Sequence, residues 1–456
     1  VRSRRQRQMC IRDRRVVMKR DDVLELANDV LIPGWQQQRR SLDLIDKWHR
    51  WEPDALRDKI PNYATTEHRN LAKISETPFL SLVVTTVAQQ LVAEAFRSSR
   101  SVDTERITEP WLRNRMHSRQ RAVYRAALSY GYSYVTAMPG DTGAVLRGRS
   151  PRDLYAVYGD VVEDEYPMYY LLAKGSHKYI VDEEAVYILG DDNGRIDYIE
   201  ERRHNAGVAP AVRYSNQIDL EGRTPGEVEP YVQVAERINK TTYDRMLVQH
   251  FNSWKVRTAT GLDMPNDPED RERVKLLLRQ GDILTGEEGV QFGTLDETSP
   301  DGLIKATDED VKILAVVTQT PVHALTGDLV NLSADAIAES RAMADLKVNE
   351  RKVGFGDSNE QVLRLSAHIE GRRDDAADFS IRTDWADLQS RSMNQAADAL
   401  GKMATMLKIP VELLWDRIPT VTPEIAKAWL AYKKENPSAE EQLAAALNEQ
   451  SNGVNG

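Results

Sequence analysis

The sequence has little cysteine: Cys10 is the only one among 456 residues. A single cysteine cannot form an intrachain disulfide, and no secretory signal is recognisable, so we expect synthesis in the cytoplasm. The sequence also lacks a run of about 18 uninterrupted apolar residues, which argues against a membrane span. Its longest apolar stretch, FLSLVVTTVAQQLVAEAF (Phe79 to Phe96), is interrupted by polar residues, and we predict a buried helix there.

Enzyme signatures are missing as well. The sequence contains no phosphate-binding G-x-x-x-x-G-K-[ST], no G-x-G-x-x-G after a strand and no G-x-S-x-G turn, which argues against a nucleotide-driven motor or a hydrolase. The eight histidines are scattered, and none is paired with another four residues away. We therefore predict a protein that is not an enzyme, with no catalytic residue, no cofactor and no dedicated metal site.

Positive charge is in deficit, with 61 Lys and Arg against 71 Asp and Glu. The formal net charge of −10 argues against a broad basic face that grips nucleic acid, although weak or sliding contact remains compatible with it. The arginines are concentrated in residues 1–17, where QMCIRDR resembles the translation of a transposon-end adapter. We expect this leader to be non-native; the alternative is a disordered basic arm that binds nucleic acid.

The length and the apolar content predict two to four subdomains. The pattern along the chain predicts an α+β, predominantly helical fold. Apolar residues recur at helical spacing up to about residue 128, and a second helix is predicted over Glu109 to Tyr130. Residues 131–216 change to short Tyr- and Val-rich runs that predict an antiparallel β part, with a hairpin turn at Asn193-Gly194. Two further helices, 229–256 and 302–320, flank a Gly-, Asp- and Pro-rich interval.

A polar loop follows the second of these helices. It carries His323, Thr326, Asp328 and Asn331 around Gly327, which are hydrogen-bonding groups without a nucleophile–base arrangement. We interpret the loop as facing a channel for nucleic acid. An ordinary connection between two helices is the alternative.

The helix after the loop is predicted to be unusually long, with Ser333 as its N-cap and a weakening or kink at Gly354 and Gly356. Its cationic residues could line DNA, but interleaved acidic residues make a solvated or subunit-facing surface at least as consistent with the sequence. These cations are Arg341, Lys347, Arg351 and Lys352.

An acidic cluster in YGDVVEDEYP comprises Asp160, Glu163, Asp164 and Glu165. Four carboxylates could hold a hard cation or supply an acid/base pair. A solvated turn is the simpler interpretation and the one that we favour.

Several segments, in their order, resemble the portal proteins of tailed double-stranded DNA bacteriophages, in the branch common among siphophages of actinobacteria. They include ISETPFLSLVVTTVAQQLVAEAFR, HNAGVAPAVRYSN, ERINKTTYDRMLVQHFNSWKVRTATG, LAVVTQTPVHALTG, NLSADAIAESRAMADLKVNERKVGFG and DWADLQSRSMNQAADALGKMATMLKIPVELLW. The resemblance runs from about residue 22 to 433. Each segment alone is weak, and their order and spacing carry the resemblance.

The resemblance implies a portal fold divided into named parts. They are a wing (18–228), a first stem helix (229–256), a clip (257–301), a second stem helix (302–320), a tunnel loop (321–332), a long kinked helix with a strand returning to the wing (333–386), crown helices (387–433) and a disordered polar tail (434–456).

It further implies a ring of about twelve copies at one capsid vertex of the virion, made in the host bacterial cytoplasm. The ring would be the channel for packaging and ejection of double-stranded DNA, without sequence specificity or membrane contact. The implied partners are the terminase large subunit, a head-completion or adaptor protein, and capsid and scaffolding proteins. Two alternatives are another structural protein of the phage head and a metal-dependent nuclease that uses the Asp160–Glu165 cluster.

Overall fold

The structure is a computed structural model. It describes residues 17–50, 52, 65–100, 103–192, 194–204, 206–252, 257–260, 267, 291–294, 299–327, 334–386, 393–418, 421 and 423–436. The chain divides into two compact units, Val1–Ala386 and Asp387–Gly456.

The described part of the first unit contains eleven α-helices. They are α1 (Arg20–Leu26), α2 (Ile32–Arg50), α3 (Thr66–Ser75), α4 (Phe79–Ala88), α5 (Thr104–Arg113), α6 (Met116–Tyr130), α7 (Val232–Asn252), α8 (Asp301–Val317), α9 (Val322–Thr326), α10 (Ala334–Ile369) and α11 (Arg373–Ala376). A π-helical stretch, Ala27–Leu31, joins α1 to α2, and a short 3₁₀ turn, Glu229–Tyr231, leads into α7.

The strands of this unit form antiparallel sheets. They are β1 (Ala93–Arg97), β2 (Tyr132–Gly140), β3 (Gly143–Arg149), β4 (Leu154–Val157), β5 (Tyr169–Lys174), β6 (His177–Val181), β7 (Ala185–Asp192), β8 (Arg195–Arg203), β9 (Ala211–Ser215), β10 (Arg257–Thr260), β11 (Gln291–Thr294) and β12 (Arg382–Trp385). Among the described residues the strand orders are β3-β2-β9, β4-β5-β6-β7-β8, β1-β12 and β10-β11. The β-rich interval is therefore confirmed. Of the predicted hairpin turn, Gly194 has a positive φ of 91°, and Asn193 lies outside the described residues.

The main core lies where α6 and α10 pack against the β3-β2-β9 sheet. The ring of Tyr124 on α6 stacks on Phe355 of α10 with centroids 5.1 Å apart. The Tyr124 and Tyr214 hydroxyls both donate to the Asn359 side-chain oxygen, at 3.1 and 2.9 Å. Because these polar atoms are satisfied inside the core, the long helix is fixed to the sheet in one register.

A second core lies between the N-terminal helices and the five-stranded sheet. Val23, Leu26 and Leu31 are buried with Tyr169 and Tyr187. Alternating burial along the strands gives the sheet one apolar face, which the helices cover.

The helix predicted over Phe79 to Phe96 is wrong after Ala88. Helix α4 ends there, a turn follows at Gln89 and Gln90, and strand β1 begins at Ala93 and pairs with β12. The pairing partner lies nearly 300 residues further along the chain, so the apolar run alone could not distinguish strand from helix. The helical part is right, because Leu80, Val83, Val84 and Val87 are buried on one face.

The single helix predicted over Glu109 to Tyr130 is also corrected. Helix α5 begins earlier, at Thr104, where the Asp103 side chain accepts a hydrogen bond from the Arg106 amide. Arg115 then adopts a left-handed conformation with φ of 54°, which ends the α-helical path before α6 begins. Pro110, next to the predicted start at Glu109, lies inside α5.

One stretch, Thr66–Ala88, is long and apolar enough for a membrane span by length and composition. The chain leaves the helical conformation between α3 and α4, however, and the apolar half, α4, packs into the main core. The burial of α4 is that of a core helix in a folded unit.

Helix α10 runs for 36 residues through both glycines at which a kink is predicted. A Cβ on Gly356 would meet Thr383 and Trp385 at 3.7 Å, which is ordinary contact, and the Gly356 carbonyl accepts a hydrogen bond from the Thr383 hydroxyl. Gly356 thus lies where α10 approaches β12, and Gly354 lies beside β9, where an added Cβ would meet the Ser215 carbonyl oxygen at 3.9 Å. The kink itself stays a prediction.

The second unit contains α12 (Met393–Met406), a 3₁₀ stretch (Val411–Arg417) and α13 (Pro423–Glu435). Trp415 and Trp429 pack edge to face with ring centroids 5.9 Å apart and join the last two elements.

Candidate functional site

Helices α7 and α8 pack side by side and lead to the predicted channel loop. Asp310 on α8 accepts a hydrogen bond from the Thr241 hydroxyl at 3.0 Å and pairs with Arg237 at 2.8 Å, both on α7. Ile238 and Leu314 are buried in the main core. The apolar contacts and the ion pair together hold the two helices as one support for the loop.

Helix α8 ends in a well-defined C-terminal cap. Gln319 adopts a left-handed conformation with φ of 53°, the Thr320 amide donates to the Ala315 carbonyl at 2.9 Å, and the Gln319 amide donates to the Val316 carbonyl at 3.1 Å. This is the Schellman pattern, which satisfies the last carbonyls of a helix. The Thr318 hydroxyl adds a bond to the Leu314 carbonyl at 2.7 Å.

The loop begins at Pro321 and forms one short helix, α9. The Gly327 amide donates to the His323 carbonyl at 3.0 Å, and Gly327 has a φ of 76°. The Thr326 hydroxyl donates to the Val322 carbonyl at 3.2 Å. Glycine suits this end because it adopts the left-handed conformation without strain.

Three of the five residues predicted to face the channel are therefore brought together on one turn: His323, Thr326 and Gly327. Asp328 and Asn331 lie outside the described residues. Leu325, on the same helix, packs against the main core, whereas Gly327 is exposed. The described part of the loop therefore begins against the core and ends at an exposed glycine.

A buried ionic cluster lies beside the end of α8. The Lys347 ammonium donates to a Glu227 carboxylate oxygen at 2.5 Å and to the Thr318 carbonyl at 2.8 Å. Arg351 donates to the other Glu227 oxygen at 3.2 Å. Burial lowers the pKa of Lys347, and the nearby Glu227 charge offsets part of that effect.

Lys347 and Arg351 do not lie where the sequence predicted them. Lys347 and Arg351 were expected either to line DNA or to lie on a solvated or subunit-facing surface, and both are buried. Of the other two cations, Arg341 is exposed and Lys352 is half-buried. The sequence carried a signal for the burial, because Lys347 and Arg351 share a helical face with Phe355. It carried no signal for Glu227.

The acidic cluster forms a capped turn. An Asp160 carboxylate oxygen accepts from the Val162 amide at 2.9 Å, and an Asp164 oxygen accepts from the Asp160 amide at 2.7 Å. Glu165 pairs with Arg364 of α10 at 2.6 Å. These carboxylates therefore stabilise local structure. Across the described ranges no group of three or more His, Cys, Asp or Glu side chains is arranged to hold a metal ion.

The first unit thus combines an α+β scaffold, two paired helices, a polar loop and a long helix after the loop. Residues 28–439 match the family described as "Phage portal protein, SPP1 Gp6-like", and the chain belongs to that family. It is accordingly a head–tail connector of the portal class and a structural protein of the virion. The resemblance seen in the sequence is confirmed, as is the α+β, predominantly helical fold.

Solved structures from gene transfer agent (GTA) particles are similar to this chain. A chain of the "Neck of empty GTA particle computed with C6 symmetry" is 14% identical with a TM-score of 0.49, covering 77% of this chain and 96% of that one. A chain of the "Neck of native GTA particle computed with C12 symmetry" is 13% identical with a TM-score of 0.45, covering 81% and 95%. No curated protein matches the chain.

Proposed function

We propose that about twelve copies of this chain close into a ring at one vertex of the capsid, and that double-stranded DNA passes through the ring during packaging and ejection. The observation that carries the proposal is a surface of exposed apolar side chains beside the loop, the junction surface: Val316, Val317, Met343 and Leu346. Val316 is 71% exposed and Leu346 65% exposed.

The hydrogen bond from Lys347 to the Thr318 carbonyl brings α10 to the end of α8, and the exposed residues Val317 and Leu346 are the chain neighbours of these two residues. Apolar side chains exposed together favour burial against another protein surface. In a ring, the neighbouring copy covers this surface on each subunit, through a head-to-tail contact that repeats until the ring closes.

The charge of the chain suits passage rather than binding. Each phosphate that a protein neutralises strengthens DNA binding and makes it more dependent on salt. A net charge of −10 disfavours such binding. The loop would contact the duplex through polar groups at His323, Thr326 and Gly327, with no Lys or Arg among them to bind phosphate. Asp328 and Asn331 would add further polar groups to this surface.

The parts of the ring follow the family division. We assign the wing to 18–228, the stem to 229–256 and 302–320, the tunnel loop to 321–332, the long helix with its return strand to 333–386 and the crown to 387–433. The clip, 257–301, would be the docking platform for the terminase large subunit and later for a head-completion protein. Capsid and scaffolding proteins would contact the ring at the vertex after its synthesis in the host cytoplasm.

The chain would not itself be an enzyme. It has no phosphate-binding motif, so the docked terminase would supply the energy for translocation. The acidic cluster supports this division, because the Asp160 and Asp164 carboxylates bind backbone amides of their own turn.

Electron microscopy of the purified full chain tests the proposal. We expect closed rings near twelve-fold with an axial hole. A chain that stays monomeric under all assembly conditions would overturn the ring, and closed shells would favour another protein of the phage head.

A change at Gly327 tests the loop. Gly327→Val forces a β-branched residue into a left-handed conformation, at a cost of roughly 1–2 kcal/mol, and so alters the exit of α9. We expect rings to form normally while nuclease-protected DNA in heads falls several-fold. Gly327→Asn is the matched control, because asparagine tolerates this conformation and, among the described residues outside its chain neighbours, no atom lies within 4 Å of the added Cβ. Equal packaging by both variants would count against a role for the loop in transit.

A further inference from the structure

The ionic cluster beside the loop joins three separate parts of the first unit. Glu227 lies in the segment after β9, and its amide donates to the Leu128 carbonyl at the end of α6. Lys347 and Arg351 come from α10. Thr318, whose carbonyl accepts from Lys347, is the residue at which α8 ends. The side chains of all three charged residues are between 2% and 4% exposed.

Such a cluster is a poor way to gain stability alone. Removing three charged groups from water costs several kcal/mol per ion, and apolar side chains of similar size would often stabilise a fold as well or better. A buried charge network instead favours one relative placement of the elements that it joins, because its hydrogen bonds form only in that placement. Here the bonds to Glu227 also include the Asn216 side-chain amide at 3.2 Å, which lies next to β9.

The bond to Thr318 determines where the loop begins. A cation at the C-terminus of a helix stabilises the last carbonyls and their dipole. Lys347 supplies that cation to α8 from a different helix, α10. It binds the carbonyl of Thr318, which lies three residues before Pro321. Movement of the end of α8 relative to α10 therefore breaks the hydrogen bond from Lys347 to the Thr318 carbonyl and leaves the buried ammonium with Glu227 alone.

We propose that Lys347 and Glu227 are positioning residues for the loop: they clamp the end of α8 to α10 and to the β3-β2-β9 sheet. A push on the loop by a passing duplex is then transmitted to these rigid elements instead of being absorbed by fraying of α8. The second half of this inference rests on the proposed function, in which the loop meets DNA.

The test compares Lys347→Met with Glu360→Gln in the full chain. Lys347→Met keeps an unbranched side chain, one heavy atom shorter, and removes the charged donor that binds the Thr318 carbonyl. Glu360 is the matched control: it is buried on the same helix, but its carboxylate binds Arg382 and the Thr383 amide, both at 3.0 Å, in β12. Both variants remove a buried charge from α10, and only one touches α8.

Hydrogen exchange of the amides from Thr318 to Gly327 is the first readout. We expect Lys347→Met to accelerate it about tenfold or more relative to wild type, and Glu360→Gln to leave it within about twofold. Equal acceleration by both variants, or none by Lys347→Met, would overturn the clamp. Lys347→Gln, which keeps a donor without the charge, gives the same measurement should the methionine variant not fold.

Packaged DNA is the second readout, and it separates the clamp from the proposed function. Faster exchange with normal rings and several-fold less protected DNA supports both halves of the inference. Faster exchange with undiminished packaging keeps the local clamp and overturns its role in transmitting force. Wild-type chains that form no rings would defeat the proposed function, while the exchange experiment would still decide the clamp.

Discussion

Replacing Gly131 by alanine is expected to destabilise the first unit by about 3 kcal/mol or more, which lies in the upper range for a single substitution. Gly131 ends α6 with a φ of 93°, and a Cβ there would lie 1.9 Å from the Thr224 carbonyl oxygen. No rotamer relieves a clash with backbone, so either β2 or the segment around Thr224 must shift. Urea denaturation monitored by circular dichroism measures the loss in the free energy of unfolding.

Gly175→Ala is the control that separates the steric clash with Thr224 from the backbone strain of a positive φ. Gly175 also has a positive φ, 59°, but in the described part of the chain no atom outside its chain neighbours lies within 4 Å of an added Cβ. We expect this variant to lose only the backbone term, roughly 1–2 kcal/mol. Similar losses at both positions would show that the close approach of Thr224 to Gly131 is not what requires glycine there.

Replacing Leu346 by glutamate is expected to abolish ring formation while leaving the chain folded. Leu346 is 65% exposed in a single chain, so its replacement removes little buried surface from the folded unit. At a contact between subunits the same change places an unpaired carboxylate in an apolar surface, which costs several kcal/mol. The penalty is repeated at every contact around the ring. Analytical ultracentrifugation and electron microscopy report the loss of rings directly.

Leu220→Glu is the control for this experiment. Leu220 is 92% exposed and lies in a turn of the segment between β9 and α7, which contributes no residue to the junction surface. We expect rings of wild-type abundance from this variant. Rings from Leu346→Glu, or their loss from Leu220→Glu, would move the subunit contact away from the junction surface.

The sequence predicted best where the structural signal is local. Alternating Tyr- and Val-rich runs identified the β part, because strand propensity and turn residues act over a few neighbours. The α8–loop–α10 order was also predicted, since proline and glycine mark helix ends locally. The observed bounds, Asp301–Val317 and Val232–Asn252, lie within a few residues of the predicted ones.

Prediction failed where a distant partner decides the structure. Strand β1 depends on β12, and the burial of Lys347 depends on Glu227, 120 positions earlier in the chain. Neither partner is marked in the local sequence. The interleaved acidic and basic residues of α10 indicated an exposed helix surface. Only the fold shows that two of its cations, Lys347 and Arg351, are buried.

The pairing of β1 with β12 also sets when the chain can finish folding. Ser98 and Asp378, just beyond this pair, are hydrogen-bonded across 280 positions. At about 5–20 residues per second, the ribosome needs roughly 15 to 60 s to deliver the second strand after the first has emerged. Until then β1 is an unprotected edge, open to pairing with the wrong chain. Closure of this strand pair is therefore a late step of folding, because a nascent chain cannot complete the β1-β12 sheet before translation has passed residue 385.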